Sequence, residues 1–263
     1  MPTYRLDLEY EGTRYRGWQE QQNARTVAGE LRGALARTCG AVGELVGSGR
    51  TDAGVHALDQ VAHLRLARAV DPAQLVRTVN DALPADIHVL AAVRAPESFH
   101  ARHAALSRTY LYQVARRRSA LAKRFVWWVK RPLDPDRMGA AAALITGRHD
   151  FDRFCERPAE QPSTLVVVER TELAVAGSLV LLRVSASHFV WKMVRRLTGA
   201  LVRVGAGELS TEEFGALLAG HEIAGPRGAV AEWTAPPSGL FLERVAYAGD
   251  PPLPPLAPAV PVP

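Results

Sequence analysis

Gly47-Ser48-Gly49-Arg50-Thr51-Asp52-Ala53-Gly54-Val55-His56-Ala57 separates a short apolar run, Glu44 to Val46, from Gln60 to Leu66, where apolar and polar residues alternate. Alternation with period two marks a strand with one buried face, so this segment reads as a loop joining two strands. Its three glycines in eight positions let the backbone approach a ligand closely. Outward from the loop, Thr3 to Glu9 alternates as a strand. Asn23 to Thr38 repeats Val27, Leu31, Ala34 and Leu35 at helical spacing until Gly40 and Gly43 stop it. Asp71-Pro72 opens a second helix to about Leu83, and Ile87 to Val93 is another strand.

After His100 the pattern starts over. Thr109 to Val114 reads as a strand, Asp134 to Ile145 as a helix capped by Asp134, and Leu165 to Val175 with Leu179 to Ser185 as a strand pair around Ala176-Gly177-Ser178. Phe189 to Val204 has the pattern of a helix and Leu240 to Tyr247 that of a strand. The expected fold class is α+β, with two similar lobes: residues 1–105 carrying the aspartate loop and residues 106–249. Asp250 to Pro263 holds seven of the eighteen prolines and no aromatic, which predicts a polyproline-like, disordered tail.

At 263 residues with 48% apolar and 22% charged side chains, the chain can bury a substantial core, which excludes disorder throughout, collagen and coiled coil. Cys39 and Cys155 cannot build a disulfide framework or a four-cysteine zinc site. The start, MPTYRLDLEYEG, lacks the apolar core of a signal peptide, so reducing cytoplasm is the expected compartment. Uncharged stretches such as Leu173 to Leu182 are far shorter than the roughly 18 residues a bilayer needs, so no membrane partner is expected.

The net charge is +5, and Lys123, Lys130 and Lys192 are the only lysines among 32 basic residues, so the positive charge is almost all guanidinium, the group suited to bidentate phosphate contacts. Arg94 to Arg131 alone carries +9 and the rest of the chain −4. Aromatics including Tyr110, Tyr112, Trp127 and Trp128 interleave with these cations, a pattern that suits phosphate contact plus base stacking. Trp127 and Trp128 are expected in the core and Arg116-Arg117-Arg118 on phosphate.

The glycine loop fails the better-known motifs. The dinucleotide fingerprint needs glycine where Asp52 stands, a P-loop needs Gly-Lys-Ser/Thr, and the serine-hydrolase elbow needs glycine in place of Val46. The eight histidines are scattered, and His100 with His103 lacks a third ligand nearby in sequence, so no zinc site is indicated. What remains is a carboxylate, Asp52, beside a guanidinium, Arg50, which by itself equally describes a salt-bridged structural turn.

Gly49 to Ala57, followed by Gln60-Val61 and His63, resembles the signature loop of the TruA family of tRNA pseudouridine synthases. Phe99-His100-Ala101-Arg102, Arg108-Thr109-Tyr110-Leu111-Tyr112, His149-Asp150-Phe151, Phe189 to Arg195 and Thr234 to Leu240 agree in the same order. The resemblance spans all but the proline tail. It implies two lobes sharing an extended, mainly antiparallel sheet with an active-site cleft between them, and a homodimer acting on the anticodon arm of tRNA at positions 38, 39 and 40. It also implies that Asp52 is the catalytic carboxylate, that Tyr110 packs on the target uracil, that Arg195 keeps Asp52 ionised and that Arg50 contacts RNA beside the target base. No metal, nucleotide or redox cofactor is implied. Two positions depart from the family pattern: Asp59 stands where glycine is usual, and Leu64 where phenylalanine is common. Two other readings fit the residues less well. A non-catalytic RNA-binding module has no need for the intact set Asp52, Tyr110, Arg50 and Arg195, and a glycosidase of small nucleosides has no use for the +9 segment.

Overall fold

Tyr4, Leu6, Leu8 and Tyr10 are buried and alternate with the less buried Arg5, Asp7 and Glu9, so β1 (Thr3–Tyr10) turns one apolar face inward as its pattern requires. The computed structural model describes residues 1–156, 163–223 and 229–262. It divides into two units, Met1–Leu106 with Phe241–Asp250, and Ser107–Leu240 with Pro251–Pro263.

In the first unit β1 lies between β3 (His56–Leu66) and β4 (Ile87–Ala95), antiparallel to both, with Leu6 opposite Ala62 on one side and Ala92 on the other. β2 (Val42–Gly47) adds to β3 antiparallel. Helix α1 (Val27–Cys39) is capped by the Thr26 side chain, which accepts from Gly29 N–H, and buries Val27, Leu31 and Leu35. α2 (Pro72–Ala82) is capped by Asp71, has Pro72 in its first turn and buries Leu75 and Val79. Each such apolar side chain contributes about 1.5–3 kcal/mol by leaving water.

In the second unit β5 (Ser107–Ala115) pairs antiparallel with β9 (Leu179–Ala186), β9 with β8 (Leu165–Ala176), and β8 with β7 (Gly147–Asp150). The short β6 (Trp127–Trp128) lies parallel to β5. Helices α3 (Pro135–Ala143), α4 (Met193–Gly205) and α5 (Thr211–Leu218) complete it, α5 opened by a capping box between Ser210 and Glu213. Phe154 meets Phe151 and Phe214 edge-on in the core. Both units are thus mainly antiparallel α+β.

Four differences from the sequence reading have physical causes. The chain divides after Leu106, but the segment from Phe241 to Asp250 returns to the first unit, because β10 (Leu240–Ala246) runs parallel to β3, with Phe241 opposite His56 and Leu242 opposite Ala57. A pairing between such distant residues leaves no local signature. α4 starts at Met193 and not at Phe189, because Lys192 is left-handed, with φ of 64°, and breaks the helical run. Trp127 is half-buried, edge-on to Tyr112 at 6.4 Å, and Trp128 is exposed, which corrects the expectation that both lie in the core.

The fourth difference is the proline tail. It forms neither helix nor strand from Pro251 to Val262, yet it is held on the second unit, in contrast to the disordered tail expected; residue 263 lies outside the described residues. Arg183 on β9 is only 2% exposed, and its guanidinium donates to the Pro254 carbonyl at 2.9 Å and pairs with Glu172 at 3.4 Å. The Gln113 side chain accepts from Val260 N–H at 3.3 Å, and Ser178 Oγ donates to the Val262 carbonyl at 3.1 Å. Proline lacks an N–H but keeps its acceptor, so a proline-rich segment suits a buried guanidinium. Deleting residues 251–263 is expected to destabilise the protein by about 1–3 kcal/mol through the stranded Arg183 donors. Arg183→Met in the shortened chain is expected to recover part of that. Thermal melts check both, and an unchanged midpoint on deletion would contradict the tail's structural role.

Candidate active site

The loop Ser48–Val55 between β2 and β3 carries Arg50 and Asp52. Although rich in glycine, it is clamped. Gln60, fully buried on β3, takes its Oε1 bond from Ser48 Oγ at 2.8 Å and gives its Nε2 bond to the Gly49 carbonyl at 3.0 Å. The Tyr10 hydroxyl meets Thr51 Oγ1 at 2.7 Å, and Ser48 N–H donates to the Val61 carbonyl at 2.8 Å. A second segment closes on the loop from Gly12 to Trp18. Trp18 N–H donates to the Thr51 carbonyl at 3.1 Å, Gly54 N–H to the Tyr15 carbonyl at 3.2 Å, and Gly12 N–H to His56 Nδ1 at 3.0 Å. A side chain at Gly12 would put its Cβ 1.9 Å from the Val55 carbonyl oxygen. At Gly17, whose φ is +94°, it would fall 2.4 Å from that of Thr51. Those two glycines are what lets the backbone press this closely.

Within this frame Thr51 is buried, Asp52 half-buried and Arg50 exposed. The carboxylate thus stands at the edge of a hydrogen-bonded support, where water can be displaced without the group being sealed off. His56, part of the motif, is fully buried with its ring stacked on Phe241 at 4.8 Å and acts as a structural acceptor. Sequence reading missed Tyr10, Ser48 and Thr51 as supports. Gln60 lay inside the motif, and a glutamine on an otherwise apolar strand face was the one available signal.

Tyr110 and Arg195 belong to the second unit. Tyr110 is half-buried on β5, opposite Val184, and its ring meets Phe189 edge-on, centroids 5.0 Å apart. The late start that Lys192 imposes keeps Phe189 outside α4 and available for this contact. Arg195, half-buried in the first turn of α4, donates from Nε to the Ala235 carbonyl at 2.7 Å, while Ala235 N–H donates to the Arg195 carbonyl at 3.1 Å. The Tyr112 hydroxyl holds the next carbonyl, Pro236, at 2.7 Å. Burial pushes the Tyr112 phenol well above its ordinary range, against the opposing charge of Arg195, so it remains a donor. Arg196, beside Arg195, is buried and donates to the Cys155 carbonyl.

Asp59 lies on β3 next to Gln60. Burial first, then the charge of Asp7, raise its carboxyl from 3.8 to about 6, with Arg244 and Arg5 opposing and Asp250 adding. Leu64, the other departure, is fully buried in the core of β3, where an apolar side chain fits.

Among the described residues one group, Glu44, His63 and His100, brings potential ligand atoms within 4.8 Å of one another. His63 Nδ1 accepts from Ala101 N–H at 3.2 Å, so in the neutral ring Nε2 carries the proton, and Glu44 Oε2 lies 3.3 Å from it without the alignment of a hydrogen bond. A metal needs the Nε2 lone pair and a partner accepting from Nδ1. The donor set therefore does not suit a cation.

Tyr10→Phe removes the anchor on Thr51 and is expected to cost about 1 kcal/mol of stability and to lower kcat more than substrate affinity. Urea melts with single-turnover kinetics check this, and equal loss in both kinetic constants would contradict a positioning role. Because folding raises the Asp59 pKa, its contribution to stability is present below about 3.8 and is lost as pH climbs through about 6, leaving a buried charge at neutral pH. Asp59→Asn should therefore stabilise by about 1–3 kcal/mol at neutral pH and far less near pH 4. The same gain at both pH values would contradict it.

The family model described as tRNA pseudouridine synthase matches residues 8–103 and 141–248. Curated relatives called tRNA pseudouridine synthase A include one from Nitrobacter winogradskyi, 40% identical over 96% of this chain and 98% of its own length. One from Syntrophotalea carbinolica is 43% identical over 94% of this chain and 97% of its own. One from Mesorhizobium japonicum is 39% identical over 94% and 100%. With its signature loop intact and similarity along nearly its whole length, the chain belongs to the tRNA pseudouridine synthase family.

Proposed function

We propose that this protein isomerises uridine to pseudouridine in the anticodon stem-loop of tRNA, at positions 38, 39 and 40, with Asp52 as the catalytic carboxylate. The isomerisation of tRNA uridine follows from family membership. The observation that carries the assignment to Asp52 is the loop's construction: an aspartate held half-buried by Gln60, Tyr10 and the Gly12–Trp18 segment.

The chemistry sets what the residues must do. The N1–C1′ bond breaks, the uracil turns and C5 bonds to C1′; C5 loses its proton and N1 gains one, so atoms and electrons balance with no oxidant or reductant. A carboxylate serves by attacking C1′, by stabilising positive charge there, or by helping to take the C2′ proton in a glycal route. Each role needs Asp52 ionised, and a guanidinium within about 4–6 Å lowers a carboxylate pKa by roughly 1–3 units; Arg195 is assigned that part. A stacked uridine must first leave the helix, at a few kcal/mol. Stacking on Tyr110, whose ring Phe189 steadies, offsets about 1–3 kcal/mol of this. Arg50, exposed beside Asp52, is assigned to the RNA next to the target base. The reading includes a homodimer as the working unit and the cytoplasm as its place. No described helix is long and apolar enough to cross a membrane.

Mapping pseudouridine in the anticodon arm of an unmodified transcript, with and without the protein, tests the proposal. The wild type is expected to convert uridine without added metal. Asp52→Ala is expected to bind tRNA normally while turnover falls below detection. Undiminished turnover in Asp52→Ala would remove Asp52 from the mechanism.

A further inference from the structure

Trp127 and Trp128 form one two-residue strand and do opposite things. Successive side chains on a strand face opposite ways. Trp127 turns in, edge-on to the fully buried Tyr112, while Trp128 is 40% exposed. A single exposed apolar residue needs no explanation. Trp128 has two further features. The guanidinium of Arg118, from the β5–β6 connection, sits 5.6 Å from its ring centroid. The sequence from Arg116 to Arg131 also holds seven basic residues and no acid. A rigid indole, backed by strand pairing and topped by a guanidinium, in a stretch that stays net positive although Arg131 pairs with Glu208, has the composition of a base-stacking site on RNA.

Position separates it from the reacting base. Trp128 is opposite Ala115 at the end of β5, five residues beyond Tyr110 on the same strand. At about 3.3 Å per residue that is roughly 17 Å, too far for one nucleotide to touch both. Charge selects the occupant. A second copy of this chain docked by the same face would set like charges against each other, whereas a tRNA backbone neutralises them.

We propose that Trp128 with Arg118 is a second stacking site for the tRNA substrate, holding an unpaired base away from the one that reacts. The proposal rests on the tRNA reading above and adds a contact outside the catalytic loop. It acts on affinity: the site binds the same nucleotide before and after the chemistry, so it lowers KM and leaves kcat unchanged.

The test uses the full-length protein and an unmodified tRNA transcript. Trp128→Ala is expected to weaken binding roughly 5- to 100-fold and raise KM in step, with kcat at saturation and the slope of log affinity against log salt unchanged. Trp128→Phe, which keeps an aromatic face, should restore most of the affinity. If the alanine variant fails to fold, a 4-thiouridine-substituted transcript irradiated on the wild type supplies a second measurement, with the adduct expected on the peptide containing Trp128. Affinity within twofold of wild type, a shift in oligomeric state on sedimentation with tRNA binding intact, or no adduct at that peptide would overturn the proposal. In all three cases conversion of uridine by the wild type would leave the catalytic reading standing. A wild type that binds no tRNA would remove both.

Discussion

The side-chain amide of Gln60 is surrounded by protein on every side and uses both of its ends: Oε1 takes bonds from Ser48 Oγ and from Val61 N–H, and Nε2 gives one to the Gly49 carbonyl. A buried amide left unpaired costs about 1–3 kcal/mol, so any movement of the loop that broke these bonds would be opposed by an appreciable fraction of a domain's net stability of about 5–15 kcal/mol. The glycine-rich loop is rigid for this reason, and Asp52 inherits its position from it. Tyr10 extends the same network to Thr51, and its burial pushes the phenol to about 12, so it stays protonated and available as a donor across the physiological range.

The second unit solves a comparable problem by backbone strain. Lys192 adopts a left-handed conformation that a residue with a side chain enters at some cost, and α4 begins immediately after it. The compensation is local: Lys192 pairs with Glu156, Glu156 N–H donates to the Trp191 carbonyl at 3.0 Å, and Arg196 reaches the Cys155 carbonyl. One residue at φ 64° frees Phe189 to meet Tyr110 and sets Arg195 in the first turn, where it grips Ala235. Gly199 makes the same helix fit its neighbour, since a Cβ there would fall 1.6 Å from the Trp233 carbonyl oxygen.

Charge follows a separate logic. The cations that distinguish the chain are concentrated between Arg94 and Arg131, but the structure uses them unequally. Arg94 lies over the Tyr4 ring and Arg116 holds the Gly177 carbonyl, both inside their own units, whereas Arg118 covers an exposed tryptophan. Counting arginines therefore overstates the surface available to RNA, and the pairing of each guanidinium decides what is left.

Much was legible in the sequence because it was local. Period-two runs located β1, β3 and β5, the Ala176-Gly177-Ser178 turn located β8 and β9, and Asp71-Pro72 and Asp134 marked two helix starts, since caps, turns and pleats act through neighbours along the chain. The loop motif pointed to Asp52 for the same reason. Elements too short to show a period, such as β6 and β7, left no trace. The return of β10 to β3 and the use of proline carbonyls to satisfy Arg183 depend on partners far along the chain. Residue type and local order were enough for the family and its reaction and singled out Asp52 in the loop. Only tertiary structure decided that the loop is rigid, that Arg196 and Arg183 are buried, and that of two adjacent tryptophans one is half-buried against Tyr112 and the other faces solvent, because burial and hydrogen-bond satisfaction are settled between segments and not within them.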